Sequence, residues 1–322
     1  MKLINESSPH IKGSNTTSRL MLDVVISLLP ALAMGVFYQG ARALAVALVS
    51  IAAAVASEAI FDACARKKQS VLDFSAAVTG LLFAMTLPAT VPYWLVAIGS
   101  SFSIVVVKCL SGGLGQNIFN PALAGRAFIM LFWPTTLIRY AASGYHAPLL
   151  GPVDIVTSAT PLHSMVMPAL PSASLSDMIL GRIGGTIGEV SAIALLIGAA
   201  YLVLRGVISL RIPLSYIGTV ALLSLIFPKT DSRWLWMCYQ VTGGGLILGA
   251  FFMATDYVSS PTTGWGQVIY GAGCGILTII FRYTGLYPEG VTYSILIMNS
   301  LSWILDRYTS PRIFGTGRRA AL

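Results

Sequence analysis

The chain consists largely of long apolar runs that are separated by short polar segments. A helix of about 17 to 25 apolar residues is long enough to cross the hydrocarbon core of a bilayer. The sequence therefore predicts about ten membrane-spanning helices, near residues 20–38, 41–64, 70–88, 91–110, 119–141, 186–204, 212–228, 241–258, 264–283 and 291–308. The expected fold class is an all-α polytopic membrane protein.

Composition supports the same class. Hydrophobic residues make up 56% of the chain and charged residues 10%, whereas a soluble domain carries about 25% charged residues. The net charge of +8 is not gathered on one polar face beside stacking aromatic residues, as nucleic-acid binding would require. We therefore expect the lipid bilayer as the surrounding medium, and no nucleic acid as a partner.

The basic residues indicate how the helices are oriented, because cytoplasmic loops carry an excess of Lys and Arg. With a cytoplasmic N-terminus, thirteen Lys and Arg residues fall on the cytoplasmic side and six on the other. Residues 1–19 and 309–322 are then cytoplasmic ends, and the long segment 142–185 is periplasmic.

Two halves of the chain resemble each other. Residues 79–86 are similar to 248–255, and residues 111–114 to 283–286. Five predicted helices separate the copies, and an odd number makes the repeat inverted, with a site expected near the midplane of the membrane. The prediction is a five-helix repeat over 20–141 and another over 186–308, although chance similarity between apolar segments also fits.

The four cysteines are scattered, without a C-x-x-C pair or a histidine cluster nearby. We therefore expect neither a metal site nor an iron–sulfur cluster held by this chain alone. The sequence leaves open whether Cys109 joins a site shared with another polypeptide.

The most specific short motif lies in the periplasmic segment. Residues 154–160 read Asp-Ile-Val-Thr-Ser-Ala-Thr and lie between Pro152 and Pro161. A hydroxyl in such a turn is accessible, and the small Ser158–Ala159 pair lets a bulky group approach the backbone. Taken alone, the heptapeptide also fits an ordinary loop of small polar residues.

The same heptapeptide resembles the flavinylation motif D-x-x-[ST]-[GS]-A-T, whose last threonine carries FMN through a phosphoester bond. The resemblance makes Thr160 the acceptor, with Asp154, Thr157 and Ser158 as recognition residues. Serine stands at position 158, where glycine is commoner in the motif.

Three further stretches, residues 111–126, 181–191 and 251–261, resemble one family. That family comprises the homologous membrane components RnfD of Rnf complexes and NqrB of the sodium-translocating NADH:quinone oxidoreductase. Together with the helix pattern, the stretches extend the resemblance over nearly the whole chain. The short polar start favours the Rnf type.

The first of these stretches supplies candidate cofactor-binding residues. Gly112 and Gly113 precede a predicted helix, where backbone amides and the positive end of the helix dipole favour an anionic ligand. Close helix packing is the other common use of such glycines. Asn117 and Asn120 are able to hold a flavin edge or to cap the helix, and Arg126 lies within it.

Ionisable residues inside a membrane are costly, so each needs a partner or a function. Glu58 and Asp256 fall inside predicted helices, and on the resemblance they occupy positions linked to cation uptake from the cytoplasm. The alternative is a structural ion pair, for example with Arg126. The role of Asp23 is left open.

The resemblance implies a membrane component of an ion-translocating electron-transport complex in the bacterial inner membrane. It implies covalent FMN on Thr160, riboflavin as a second, non-covalent flavin, and a flavin transferase during maturation. Other partners would be a second flavin-bearing subunit and iron–sulfur subunits, because this chain lacks a nicotinamide fingerprint and a complete active site. A solute channel or transporter built from a five-plus-five repeat is the alternative function.

Overall fold

The computed structural model describes residues 16–66, 71–141, 144, 146–149, 171, 173–285 and 290–311, and the backbone of 157–158. Asp154 and Thr160 therefore lie outside the described residues.

Helices make up most of the described chain. In chain order they are α1 (Thr17–Gln39), α2 (Ala41–Cys64), α3 (Ser75–Met85), α4 (Tyr93–Phe102, continued by a π-helical turn over Ser103–Cys109), α5 (Pro121–Phe132), α6 (Pro134–Leu137), α7 (Leu175–Leu180), α8 (Ala192–Leu204), α9 (Arg211–Ile226), α10 (Arg233–Thr242), α11 (Leu246–Leu248, continued by a π-helical turn over Gly249–Met253), α12 (Gly264–Thr284) and α13 (Val291–Thr309). A 3₁₀ turn covers Val71–Asp73, and two short strands, β1 (Tyr140–Ala141) and β2 (Thr157–Ser158), pair antiparallel.

Polar caps begin several of these apolar helices. Thr16 caps α1, Ser191 caps α8 and Thr263 caps α12, and in each the hydroxyl accepts a hydrogen bond from a backbone amide three residues later. Such caps satisfy amide groups that have no partner within the helix.

Small residues let neighbouring helices approach closely. A Cβ added to Gly198 on α8 would lie 2.0 Å from the carbonyl oxygen of Ser27 on α1, and one added to Gly271 on α12 would lie 2.0 Å from Oγ of Ser215 on α9. Neither position has room for a side chain. This packing is typical of membrane helices, which associate through backbone approach rather than through the hydrophobic effect.

The first pair of matched repeat segments falls on two short helices inside the protein. On α3, Phe83 and Met85 are completely buried, and in the turn that continues α11 Ala250 is as well. The backbone beyond α3 is satisfied by protein, because the amides of Ile187 and Gly188 donate to the carbonyls of Leu87 and Met85. Non-helical backbone at membrane depth is tolerated only in such a setting. The inverted arrangement of the halves stays a prediction.

The helical membrane class is confirmed, but the count of ten spans is not. Among the described residues, α1, α2 and α12 are each long and apolar enough to cross a bilayer. The pair α10 and α11, bent by 59° at the break between them, makes a fourth if it is counted as one span. Shorter apolar helices, of 10 to 17 residues, cover parts of five other predicted spans.

Several predicted boundaries are wrong. The run 119–141 is not one helix, because α5 ends at Phe132, Pro134 begins α6, and the chain then enters β1. The run 241–258 is interrupted by glycines between α10 and α11, and α10 itself was not predicted. The run 186–204 becomes helical only at Ala192.

Candidate functional site

A cavity of about 90 Å³ lies between α1, α3, the end of α4, the start of α5, α8 and the segment after α11. Its apolar lining includes Val24, Leu82 and Phe252. Its polar lining includes Ser75, Thr79, Lys108, Asn117, Asn120 and Asp256. A mainly apolar pocket with a few convergent polar groups is typical of a small-molecule site. The start of α1 and the end of α4 both border it, so it lies nearer to the side predicted to be cytoplasmic.

Asn120 begins α5 and also ties it to α11. Its Oδ1 accepts hydrogen bonds from the amides of Ala122, at 3.1 Å, and Leu123, at 3.3 Å. Its Nδ2 donates to the carbonyl of Met253 at 3.1 Å. A helix cap was one of the two roles that the sequence left open for Asn120, the other being a contact to a flavin edge. Because both ends of the amide already have protein partners, the side chain shapes the cavity wall.

Asn117 is better placed to bind a ligand. Its Nδ2 donates to the carbonyl of Phe119 at 3.0 Å, which fixes the direction of the amide. Within the part of the chain that the structure describes, no donor reaches its Oδ1. The carbonyl of this 5% exposed side chain is thus available to a hydrogen-bond donor in the cavity.

The glycine-rich turn after α4 uses its amides internally. The amide of Gly112 donates to Cys109 and that of Gly113 to Lys108. Gly112 has a φ of +122°, and a Cβ there would collide with Gln116. Neither glycine is among the cavity-lining residues, nor is Arg126, which lies buried in α5. A cofactor role for these three residues stays a prediction.

Glu58 on α2 forms a buried ion pair with Lys108, which follows it by fifty residues. The Nζ atom lies 2.6 Å from Oε1, and both side chains are about 2% exposed. Lys108 also donates to Oγ of Ser75, at the start of α3. From the sequence, Arg126 was named as an example of a partner for one of the carboxylates. In the structure, Glu58 forms an ion pair with Lys108.

Asp256, the second predicted ion-pathway residue, lines the cavity. Its Oδ2 accepts a hydrogen bond from Oγ of Ser259 at 2.9 Å. Lys108 lines the same cavity, and its ion pair joins Glu58 to that wall. The structure thus brings both predicted carboxylates to one region, with Asp256 at the cavity surface.

Asp23, whose role the sequence left open, is a structural partner between α1 and α8. Its carboxylate accepts from the hydroxyl of Tyr201 at 2.8 Å and pairs with Arg205 at 3.1 Å. Asp23 is buried and Arg205 is half exposed at the end of α8. Neither is among the residues that line the cavity.

The segment that carries the predicted flavinylation motif is anchored at the opposite end of the fold from the cavity. The guanidinium of Arg42, at the start of α2, donates to the carbonyls of Ala89, at 2.9 Å, and Pro148, at 2.7 Å. It also lies 5.0 Å from the centre of the Tyr93 ring, whose hydroxyl donates to the carbonyl of Leu149 at 2.8 Å.

The short antiparallel pairing of β1 with β2 positions the middle of the motif. Ser158 pairs with Tyr140, and Thr157 with Ala141. The backbone of Thr157 and Ser158, the two predicted recognition residues nearest to Thr160 in sequence, is thus paired with Tyr140 and Ala141, at the end of the first half of the chain.

The sequence did not predict the contacts of Lys108 and Arg42, because both residues entered the sequence analysis only as positive charges that indicate orientation. The signal at Lys108 was a cation near the end of an apolar run, since such residues need a partner. Among the described residues, no group of three or more His, Cys, Asp or Glu side chains could hold a metal ion.

Comparison with known proteins gives the same family as the sequence motifs. The model of the family described as "NQR2, RnfD, RnfE family" matches residues 4–315. The D component of the Na⁺-translocating ferredoxin:NAD⁺ oxidoreductase complex of Acetobacterium woodii is 44% identical, over 98% of this chain and 96% of that protein.

Two further relatives agree. The D component of the proton-translocating ferredoxin:NAD⁺ oxidoreductase complex of Clostridium ljungdahlii is 42% identical, over 97% of this chain and 96% of that protein. The D component of the ion-translocating oxidoreductase complex of Alcanivorax borkumensis is 34% identical, over 98% of this chain and 97% of that protein. Since both the family model and these relatives span nearly the whole chain, the chain belongs to the NQR2, RnfD, RnfE family.

Proposed function

We propose that the chain is the electron-carrying membrane component, of the RnfD type, in an ion-translocating oxidoreductase complex, with FMN bound covalently to Thr160. The observation that carries the proposal is the full-length similarity to the D components of such complexes. The activity belongs to the complex, because a nicotinamide fingerprint and a cysteine cluster must come from other subunits.

The anchored periplasmic segment supports a role as an electron relay. Arg42 and Tyr93 hold its first part, and the pairing of β1 with β2 holds Thr157 and Ser158. A tethered group is of use in a relay only if its distance from the next carrier is fixed. These contacts would restrict where a group on Thr160 can lie.

The cavity between the helices is the proposed site of the second flavin, riboflavin. Asn117 offers a carbonyl to a ring N–H group, Lys108 an ammonium to an anionic ring, and apolar side chains such as Leu82 a surface for the ring face. When bound, a flavin supplies one- and two-electron redox chemistry that no side chain of this protein provides.

Glu58 and Asp256 are the proposed cation-handling residues. Carboxylate oxygens suit sodium and accept protons, so their chemistry does not select the ion. The relatives differ in this respect, since one is named as sodium-translocating and the other as proton-translocating.

The remaining assignments follow from the same proposal. The chain would lie in a bacterial inner membrane with both ends cytoplasmic and residues 142–185 periplasmic. A second flavin-bearing subunit and iron–sulfur subunits would exchange electrons with it, and a flavin transferase would attach the FMN. The alternative of a solute channel rests on the helix plan alone, and the three relatives described above are all named as components of oxidoreductase complexes.

The test is to change the proposed acceptor. We expect Thr160→Ala, expressed with its own transferase, to lose the flavin fluorescence that remains on this chain after denaturing electrophoresis, because no hydroxyl is left to form the ester. Mass spectrometry of the peptide that contains Thr160 measures the same bond directly.

Ser164→Ala is the matched control, since it removes a hydroxyl from the same segment outside the heptapeptide. It should keep the fluorescent band. An unmodified wild-type peptide, with an active transferase present, would contradict the proposed attachment.

A further inference from the structure

Lys108 is an unusual residue for its position. It is 2% exposed and lies in the π-helical turn that ends α4. Charged groups inside a membrane protein are costly and generally serve a function, and π-helical turns occur frequently at functional sites.

The ammonium of Lys108 bridges two helices. It donates to Oε1 of Glu58 on α2 at 2.6 Å and to Oγ of Ser75 on α3 at 2.5 Å. Ser75 in turn bonds to Asp73. An ammonium has three N–H donors. Among the described residues, two of them are used, by Glu58 and Ser75. The third N–H group is therefore available to another acceptor.

That acceptor would lie in the cavity. Lys108 and Ser75 both line the cavity wall, whereas Glu58 is not among the described lining residues. The ammonium therefore stands between the Glu58 carboxylate and whatever the cavity holds.

Because the Lys108 ammonium contacts Glu58 and also lines the cavity, an anion in the cavity would share it with the Glu58 carboxylate. When a negative charge arrives in the cavity, it attracts the ammonium away from Glu58, and the low local dielectric strengthens this competition. A lysine is suited to such a shift, because its ammonium is a point charge with rotatable donors on a flexible stem. The less the ammonium compensates Glu58, the more strongly that carboxylate attracts a mobile cation.

We propose that Lys108 is a shared counter-ion: it pairs with Glu58 while the cavity occupant is neutral and moves toward the occupant when that occupant becomes anionic. Lys108 thereby links the charge of the occupant to the readiness of Glu58 to take up a cation. The inference rests on the proposed function only in that riboflavin, which is neutral when oxidised and anionic after reduction and loss of a proton, is the occupant.

The test is a double-mutant cycle read as ligand affinity. The purified complex is stripped of non-covalent flavin, and the binding of oxidised and of reduced riboflavin is measured by equilibrium dialysis. We expect Lys108→Met to weaken binding of the reduced form at least tenfold and that of the oxidised form less than threefold. Glu58→Gln should strengthen binding of the reduced form severalfold, because the ammonium is no longer shared.

The coupling between the two variants decides the question. In the Lys108→Met background, Glu58→Gln should leave the affinity for reduced riboflavin nearly unchanged. If Glu58→Gln changes this affinity by the same factor with and without Lys108, or if Lys108→Met has no effect on the preference for the reduced form, the inference is wrong.

Two further variants keep the result interpretable if Lys108→Met is poorly folded. The double variant removes both members of the buried ion pair together, which is less costly than removing one of them. Lys108→Arg keeps the cation and should keep the preference for the reduced form. Asp23→Asn breaks the other ion pair, whose members do not line the cavity, and should change neither affinity.

Failure of the proposed function gives a different result. If the stripped complex binds riboflavin in neither form, the proposed cavity occupant is wrong, and the role of Lys108 falls with it. If riboflavin binds but its affinities do not depend on Lys108, only the shared counter-ion is excluded.

Discussion

At the scale of single residues, Asn120 does two tasks with one amide. Its oxygen caps α5, and its nitrogen holds the carbonyl of Met253 at the end of α11. The Asn-Pro pair at a helix start predicts the first task. The second depends on how two distant segments meet, because 133 residues separate Asn120 from Met253.

Changing Asn120 should separate these tasks. We expect Asn120→Ala to lower the stability of the complex by about 2 kcal/mol, since a cap is worth about 1 kcal/mol and an unsatisfied buried carbonyl costs a comparable amount. Asn120→Asp keeps the cap acceptor but loses the donor to Met253. The melting temperature of the purified complex should fall for both variants, and equal stability of the alanine variant and the wild type would contradict the role.

Glu58 and Lys108 show the limit of sequence reasoning at this scale. The sequence identified Glu58 as costly in a membrane and placed Lys108 only by its charge. Their pairing follows from the packing of α2, α3 and the end of α4, which bring Glu58, Ser75 and Lys108 together. No local pattern encodes that arrangement.

At the scale of elements, the end of α7 has little room. Gly181 has a φ of +100°, and a Cβ there would lie 2.1 Å from the carbonyl oxygen of Val190. Its amide donates to Asp177 at 2.8 Å and ends the helix. The end of α7, which follows the segment with the proposed flavin acceptor, thus packs directly against residues just before α8.

We expect Gly181→Ala to destabilise the complex by more than the roughly 1–2 kcal/mol that a left-handed conformation costs a non-glycine residue, because the added methyl group also collides with backbone. Gly206→Ala is the matched control, since Gly206 has a φ of +67° and nothing within 4 Å of an added Cβ. The comparison is of melting temperatures, and equal shifts would show that the collision has been relieved.

At the scale of the whole molecule, the fold places two candidate regions at opposite ends. The cavity lies where α1 begins and α4 ends, and the segment that carries the proposed flavin acceptor is anchored where α2 begins. Electrons that pass between the two regions, on the proposed function, would therefore travel from one end of the helices to the other.

Cysteine labelling tests the orientation. Cys64 is exposed at the end of α2, and Cys109 and Cys274 are buried. In a Cys238→Ala background, we expect a membrane-impermeant maleimide to label Cys64 only in inside-out vesicles. In a second protein, Cys64 and Cys238 are both changed to alanine and Leu149→Cys is introduced. This new cysteine should react only in right-side-out vesicles. The reverse pattern would invert the proposed topology.

The sequence by itself determined the membrane class, most helix positions and the resemblance to one family, because these depend on local hydrophobicity and short motifs. The tertiary structure decided which charges meet: Lys108 with Glu58, Asp23 with Arg205, and Arg42 with the carbonyl of Pro148. These contacts join residues 50 to 182 positions apart. Only helix packing brings such residues close, and a buried charge or carbonyl then makes the contact necessary.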